Sequence, residues 1–340
     1  MGTVLDSLNT ALHRAFAEDE RLVLLGEDIL DPYGGAFKVS RGLSDKYPQR
    51  VITTPISEAG IVGVGAGLAL RGFHPIVEIM FGDFLPLAAD QLINHVAKFR
   101  WMYNLPGRLP LVIRTPMGGR RGYGPTHSQT LEKIFMGVPG LDILAPHTLL
   151  DPGMLLISAT RDHDDPVLFI ENKLLYNLPV PGTNDLAEFD IREIPHPVAV
   201  QYSPTVIVRV KGAPAPQLTV TSYGYMADLS RQAVLQLAYE YEIFAELVIF
   251  SQLAPFCISP LADAASQTKK LVTVEEGTLN LGWGAEMVAR LAEQPGLSLE
   301  AVMRVAAQDT PVPASGPLEN ETLPAVKQII EAGQKIVQNR

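Results

Sequence analysis

"RVITTPISEAGIVGVGAGLAL", residues 50–70, joins a β-branched run to an apolar, glycine-rich one. The first part, "RVITTPIS", reads as a strand. Residues 59–70 are apolar on every side at helical spacing and read as a buried helix. Glu58 stands at the switch between them. Acidic side chains are almost never fully buried without a partner, so this one calls for a reason. One reading is a cap: Ser57 as N-cap, with Glu58 in the first turn where the helix dipole favours a carboxylate. The other is a carboxyl in an apolar pocket, able to hold or donate a proton near neutral pH. Its company favours the second: an apolar strand before it, a buried helix after it, and a loop histidine, His127, further on.

The same alternation extends in both directions. "RLVLLGED", "HPIVEIMF", "LPLVIRTP", "LDILAP" and "PVLFIEN" read as strands. "LPLAADQLINHVAKFRWMY" reads as one long helix, and residues 152–160 as another. Strands alternating with helices imply a mainly parallel sheet covered on both faces. From about residue 178 the chain becomes rich in Pro and polar residues and reads as an ordered connector with some extended pieces. A second α/β block follows, from "LTVTSYG" through "KKLVTVEEG" to the closing helix "LPAVKQIIEAGQKIVQ". The expected organisation is therefore a first domain over residues 1–180, a connector over 181–216 and a second domain over 217–340.

Composition narrows the function. The chain has 340 residues, 47% hydrophobic and 19% charged, with a formal net charge of -10. That balance suits a soluble globular protein with a large core. It argues against a general nucleic-acid binder, which would carry a basic patch. Cys257 is the only cysteine, so no internal disulfide and no cysteine-based metal cluster can form. No apolar run reaches the ~18 residues of a membrane span. The N-terminus reads as an amphipathic helix rather than a signal peptide. A cytoplasmic location is expected.

Gly60, Gly63, Gly65 and Gly67 invite a dinucleotide reading, but their spacing is not G-x-G-x-x-G. Close packing of the helix explains them better. No phosphate loop of the G-x-x-x-x-G-K-[ST] type occurs. No histidine falls in a zinc pattern, and His13, His74, His147, His163 and His196 read as surface or turn residues. His127 differs. It lies in "RRGYGPTHSQT", a loop following the strand "LPLVIRTP", and ligands of doubly wound folds gather at such strand ends. It reads equally as a turn histidine bonded to Ser128. Arg120 and Arg121 read as solvated.

"LLGEDI", "GGAFKVSRGL", "RVITTPISEAGIVGVGAGLAL", "HPIVEIMFGDF", "DQLINHVAKFR", "HSQ", "DDPVLFIENKLLY" and "KLVTVEEG" occur in this order over nearly the whole chain. In them the chain resembles the beta subunits of thiamine-diphosphate-dependent 2-oxo acid dehydrogenases of the pyruvate, branched-chain and acetoin types and, more distantly, transketolase. The resemblance implies a pyrimidine-binding domain followed by a transketolase-type C-terminal domain. It implies that Glu58 hydrogen-bonds N1′ of the cofactor's aminopyrimidine ring and controls a proton there. Ile56, Met80 and Phe84 match positions lining the pyrimidine pocket, Phe84 as the stacking ring. Glu27 matches an acid of a polar tunnel between paired active sites. His127 matches a histidine that serves proton transfer around acyl transfer. Ala159, Asp162 and Asp164 match a structural monovalent-cation (K+) site of some relatives, although "ATRDHDD" also reads as a plain acidic turn.

The G-D-G motif that holds Mg2+ and the cofactor's diphosphate is missing; "FGDF" is the nearest stretch. The resemblance therefore implies an alpha subunit carrying the Mg2+ half of the site in an α2β2 heterotetramer. It further implies a 2-oxo acid substrate and a lipoyl-bearing acyltransferase as acceptor. Two departures stand out: the arginines of "RRGYGPTHSQ" and the stretch "IFSQLAPFCISPLA". A transketolase-like carboligase half and a non-catalytic scaffold subunit are the alternatives. Glu58 together with His127 argues against the scaffold.

Overall fold

All five residues of "LVLLG" are buried, as are all six of "VIRTPM". Strands buried on both faces belong inside a parallel sheet. In the computed structural model, which describes residues 2–182, 185–196 and 203–338, they lie there. Strands β1 (Leu22–Gly26), β2 (Val51–Thr53), β3 (His74–Glu78), β4 (Val112–Met117), β5 (Asp142–Leu144) and β6 (Val167–Asn172) pair in parallel. With the short β11 (Gln252–Ala254) they make a seven-stranded sheet, ordered β11-β5-β6-β4-β3-β1-β2.

The second sheet uses β7 (Phe189–Ile194), β8 (Thr205–Val210), β9 (Leu218–Tyr223), β10 (Ala245–Phe250), β12 (Lys270–Thr278) and β13 (Ala301–Ala307). Its order is β13-β12-β9-β10-β8-β7, with β8 alone reversed and paired antiparallel to β10 and β7. The two mainly parallel α/β sheets expected from the alternation are both present. The extended pieces of the connector are β7 and β8, paired antiparallel at the edge of this sheet. Its residues 183–184 and 197–202 lie outside the described residues.

Two compact units result. One comprises Met1–Gly118, Ile134–Val180 and Leu253–Pro255; the other comprises Gly119–Lys133, Pro181–Gln252 and Phe256–Arg340. The loop that carries His127 thus belongs to the second unit, although its sequence follows β4 of the first.

Helices form where caps and periodicity agree. In α1 (Val4–Glu18) Thr3 and Asp6 close a capping box. Helix α2 (Leu43–Lys46) is a single turn. In α3 (Glu58–Leu70) Ile61, Val62, Gly65, Ala66 and Ala69 are buried. A Cβ on Gly65 would come within 2.6 Å of Val77 on β3. Gly67 meets nothing within 4 Å, so close packing accounts for Gly65 and not for every glycine of the run.

The helix expected over residues 85–103 is broken. Residues Gly82–Ala88 form 3-10 turns, Gln91–His95 a π turn, Val96–Lys98 another 3-10 turn, and only Phe99–Met102 (α4) is regular. Pro86 lies inside the first of these and has no N–H to give to an α ladder. Helix α5 (Pro152–Arg161) starts at Pro152 behind Asp151, whose carboxylate accepts from the N–H groups of Gly153 and Met154.

In the second unit, α6 (Gly224–Tyr241), α7 (Ser259–Thr268), α8 (Trp283–Ala292), α9 (Gly316–Thr322) and α10 (Val326–Gln338) accompany the sheet. Trp283 is fully buried, edge-on to Tyr223 at 5.1 Å and to Phe250 at 5.7 Å. The first backbone N–H groups of α8, from Trp283 and Gly284, donate to the Glu275 carboxylate at 2.6 and 2.9 Å. Burial nevertheless dominates and pushes the Glu275 carboxyl up to about 7, the nearby Glu132 adding to it.

A carboxyl raised in the folded state holds its proton more tightly there than in the unfolded chain. Its stabilisation is present in acid and is lost as the pH rises from 4.5 to about 7. The loss is on the order of 3 kcal/mol for a shift of this size. Glu275→Gln should flatten that part of the pH profile of unfolding, read by denaturant titration between pH 4.5 and 8. A slope identical to the wild type would remove Glu275 as its source.

Candidate active site at the strand ends

Three neighbouring strands of the first sheet end level with one another. Gly26 of β1 is in register with Thr53 of β2 and with Glu78 of β3. The residues just beyond these ends are Glu27, the stretch from Thr54 to Glu58, and the segment from Ile79 onward. The carboxyl edge of a parallel sheet is where such folds bind ligands.

Glu58 opens α3 and is 5% exposed. Ser57 occupies the N-cap position, but its side chain makes no capping hydrogen bond. Capping alone therefore does not explain the pair. Glu27 is buried beside it. Burial pushes the Glu27 carboxyl up, and the charges of Glu58 and Asp28 push it further; the Ser57 N–H, which donates to it, opposes them. Two buried carboxyls with one raised make a place where a proton can be held and passed on.

Ile56, two residues before Glu58, is 82% exposed. Met80 and Phe84 are half-buried. The segment that bears them lies tightly on the end of β4: a Cβ on Gly82 would approach Met117 to 2.3 Å. Phe84 meets Phe81 edge-on at 5.9 Å, Phe81 meets Phe37 at 5.8 Å, and Phe37 stacks on Tyr176 at 5.3 Å.

Behind this aromatic row runs a buried ionic network that the sequence did not announce. The Arg114 guanidinium donates twice to Glu171, at 2.8 and 2.7 Å, and also to Glu78. The Tyr176 hydroxyl donates to Glu171 at 2.6 Å. All four residues are buried. Burial and the Glu171 charge push the Tyr176 hydroxyl well above its usual range, so it remains a donor. The only hint in the sequence is an arginine inside an otherwise apolar strand. Bidentate pairing makes the network directional as well as charged.

The loop Gly119–Lys133 is seated on the second unit by carboxylates. Gly119 N–H donates to Glu276 at 2.7 Å. Arg120 N–H and Gly122 N–H donate to the two oxygens of Glu319 at 2.7 and 3.2 Å. The Arg120 guanidinium lies 3.8 Å from Glu276 and donates to the Pro324 carbonyl, so this side chain is a tie rather than a solvated charge. At the far end Lys133 donates to the Asn280 carbonyl at 2.7 Å. Between these anchors His127 is half-buried, with its Nδ1 3.0 Å from Thr126 Oγ1. Glu58, Glu27, Ile56, Met80 and Phe84 belong to the first unit, and His127 to the second.

Ala159, Asp162 and Asp164 lie at the end of α5 and in the turn that follows. There Arg108 Nη2 donates to the Thr160 carbonyl at 3.2 Å and Arg108 Nε to the His163 carbonyl at 3.0 Å. A guanidinium thus holds the Thr160 and His163 carbonyls of this turn. Two histidines expected as surface or turn residues are buried. His163 Nδ1 sits 2.6 Å from the Asp142 carboxylate, and burial pulls the His147 imidazole down to about 3. Among the described residues no three His, Cys, Asp or Glu side chains are grouped to hold a metal ion.

Known proteins resemble this chain in sequence and fold. Residues 3–179 match the transketolase pyrimidine-binding domain, and residues 208–329 the transketolase C-terminal domain. The chain is 36% identical to the mitochondrial pyruvate dehydrogenase E1 component subunit beta of Drosophila melanogaster, over 98% of this chain and 89% of that one. It is 34% identical to the corresponding subunit beta-1 of Arabidopsis thaliana, over 98% and 88%. It is 33% identical to the acetoin:2,6-dichlorophenolindophenol oxidoreductase subunit beta of Cupriavidus necator, over 97% and 95%. Among solved structures, a split-gene transketolase described as an inactive beta4 tetramer shares the fold, with a TM-score of 0.73 at 18% identity and 99% coverage of each chain.

The carboxylate seat of the His127 loop is open to test. Gln in place of Glu319 keeps one acceptor oxygen and removes the charge that serves two N–H groups. Glu319→Gln should speed hydrogen exchange at residues 119–124 several-fold, with exchange in the first sheet unchanged. Unaltered exchange in that loop would show that Glu319 does not hold it.

Proposed function

Since the chain belongs to the transketolase-like family of 2-oxo acid dehydrogenase E1 beta subunits, we propose that it forms one half of a thiamine-diphosphate active site. The observation that carries this reading is the buried pair Glu58 and Glu27 at the carboxyl edge of β1 and β2. When bound, thiamine diphosphate supplies the electron sink for decarboxylating a 2-oxo acid and carries the acyl unit to its acceptor. This chain's residues supply placement and proton control.

Glu58 holds a proton against N1′ of the aminopyrimidine ring. A carboxyl suits that task because it can stand either charged or protonated, and here it is shut off from bulk water. Glu27 is its proton neighbour. Burial favours the protonated form of Glu27, so a proton is at hand when Glu58 passes one to the ring. Phe84 offers an aromatic face to the pyrimidine, and Ile56 and Met80 line its pocket. His127 serves proton transfer where the acyl group leaves.

The other half of the site comes from an alpha subunit in an α2β2 assembly. That chain holds the diphosphate through Mg2+, in keeping with the missing G-D-G motif. The acyl acceptor in this reading is the lipoyl group of an acyltransferase. The cytoplasm is its proposed location; among the described residues no helix is long and apolar enough to cross a membrane.

Glu58→Gln in the complex with the alpha chain should slow exchange of the cofactor's thiazolium C2 proton by at least about 100-fold, the scale of positioned acid-base catalysis. Cofactor binding should change far less. Exchange at the wild-type rate, followed by NMR in deuterated buffer, would show that Glu58 has another role.

A further inference from the structure

The turn after α5 gathers negative charge and open carbonyls in one place. It holds Asp162, Asp164 and Asp165 and follows the C-terminal end of a helix, where backbone carbonyls lack helical partners. Such a turn requires positive charge.

Three arginines supply it. Arg161 Nε donates to the Asp162 carboxylate at 3.0 Å. Arg100 pairs with Asp165 and is itself fixed by the Gly107 carbonyl at 2.9 Å. Arg108 does something different: its fork bridges the turn's backbone, Nη2 on the Thr160 carbonyl at 3.2 Å and Nε on the His163 carbonyl at 3.0 Å. Two further carbonyls nearby also accept backbone N–H groups. Ser158 accepts from Asp162 N–H at 2.7 Å, and Asp164 from Leu109 N–H at 2.9 Å. Burial pulls the Arg108 guanidinium below its usual range, and the charges of Asp164 and Asp162 oppose that by favouring its charged form.

A potassium ion held at this turn would need several of these carbonyl oxygens turned onto one point. It would also stand beside a guanidinium that stays charged at every accessible pH. Like charges at that range repel.

We infer that the Arg108 guanidinium is the resident cation of this turn, and that the turn takes no K+. The fork links the end of α5 to residue 163, a task an ion would otherwise perform by coordination. The order of this turn is thus built into the chain and independent of the salt around it. The inference concerns this chain's own ties and stands apart from the assignment of Glu58 and His127.

The test is hydrogen exchange of residues 158–166 in the complex with the alpha chain. It compares potassium chloride with tetramethylammonium chloride at equal ionic strength. The wild type should exchange at the same rate in both salts, and crystals soaked in thallium(I) should show no anomalous peak at the turn. Arg108→Ala should raise exchange in that peptide several-fold. Slowing of wild-type exchange by potassium, or a thallium peak on the carbonyls of residues 159–164, would overturn the inference. So would an Arg108→Ala variant whose peptide exchanges like the wild type. The wild-type comparison of salts needs no variant to fold.

Discussion

A carboxyl taken out of water must bring a proton, a cation or hydrogen-bond donors with it, or the fold loses several kcal/mol. This chain buries carboxyls in both units and satisfies them in different ways. Glu78 and Glu171 share Arg114. Glu275 takes the opening N–H groups of α8, Glu319 those of a loop, and Glu132 the Tyr223 hydroxyl. Glu27 receives one backbone N–H; burial, with the charges of Glu58 and Asp28, leaves it favouring its proton. Burial raises Glu275 as well, so a raised carboxyl alone does not set Glu27 apart; its place at the strand ends beside Glu58 does.

The first unit shows the two kinds side by side. The Arg114 network fixes β3, β4 and β6 to one another through side chains, and Tyr176 passes that order to Phe37, Phe81 and Phe84. A few residues away, Glu58 and Glu27 lie beyond strands that end in register. Rigid charge pairing thus supports the aromatic row, beside strand ends that carry the buried pair Glu58 and Glu27. The second unit repeats the first pattern, seating the His127 loop on Glu276 and Glu319.

The strand and helix alternation was legible because parallel strands buried on both faces leave unbroken apolar runs, as in "LVLLG" and "VIRTPM". Glu58 was legible for the same reason: a lone acid in apolar company stands out. What stayed hidden depends on partners distant in sequence. His163 looks like a turn residue until Asp142 is found beside it. Arg120 looks solvated until Glu276 and Pro324 surround it. The helix expected over residues 85–103 had the right periodicity, yet Pro86 and a π turn override it. Arg108 carried no sequence signal, since the carbonyls it engages belong to residues more than fifty positions on.

The central claim is that Glu58 and Glu27 act as a coupled acid pair. The most direct measurement is a carbon-13 NMR titration of the glutamate carboxyls in the assembled enzyme, with Glu27 assigned by its loss in Glu27→Gln. Glu27 should titrate above the ordinary glutamate range. In Glu58→Gln its midpoint should fall, because one negative charge is gone, yet stay raised, because burial is the larger cause. A Glu27 midpoint that is ordinary in the wild type, or unmoved by Glu58→Gln, would contradict the account.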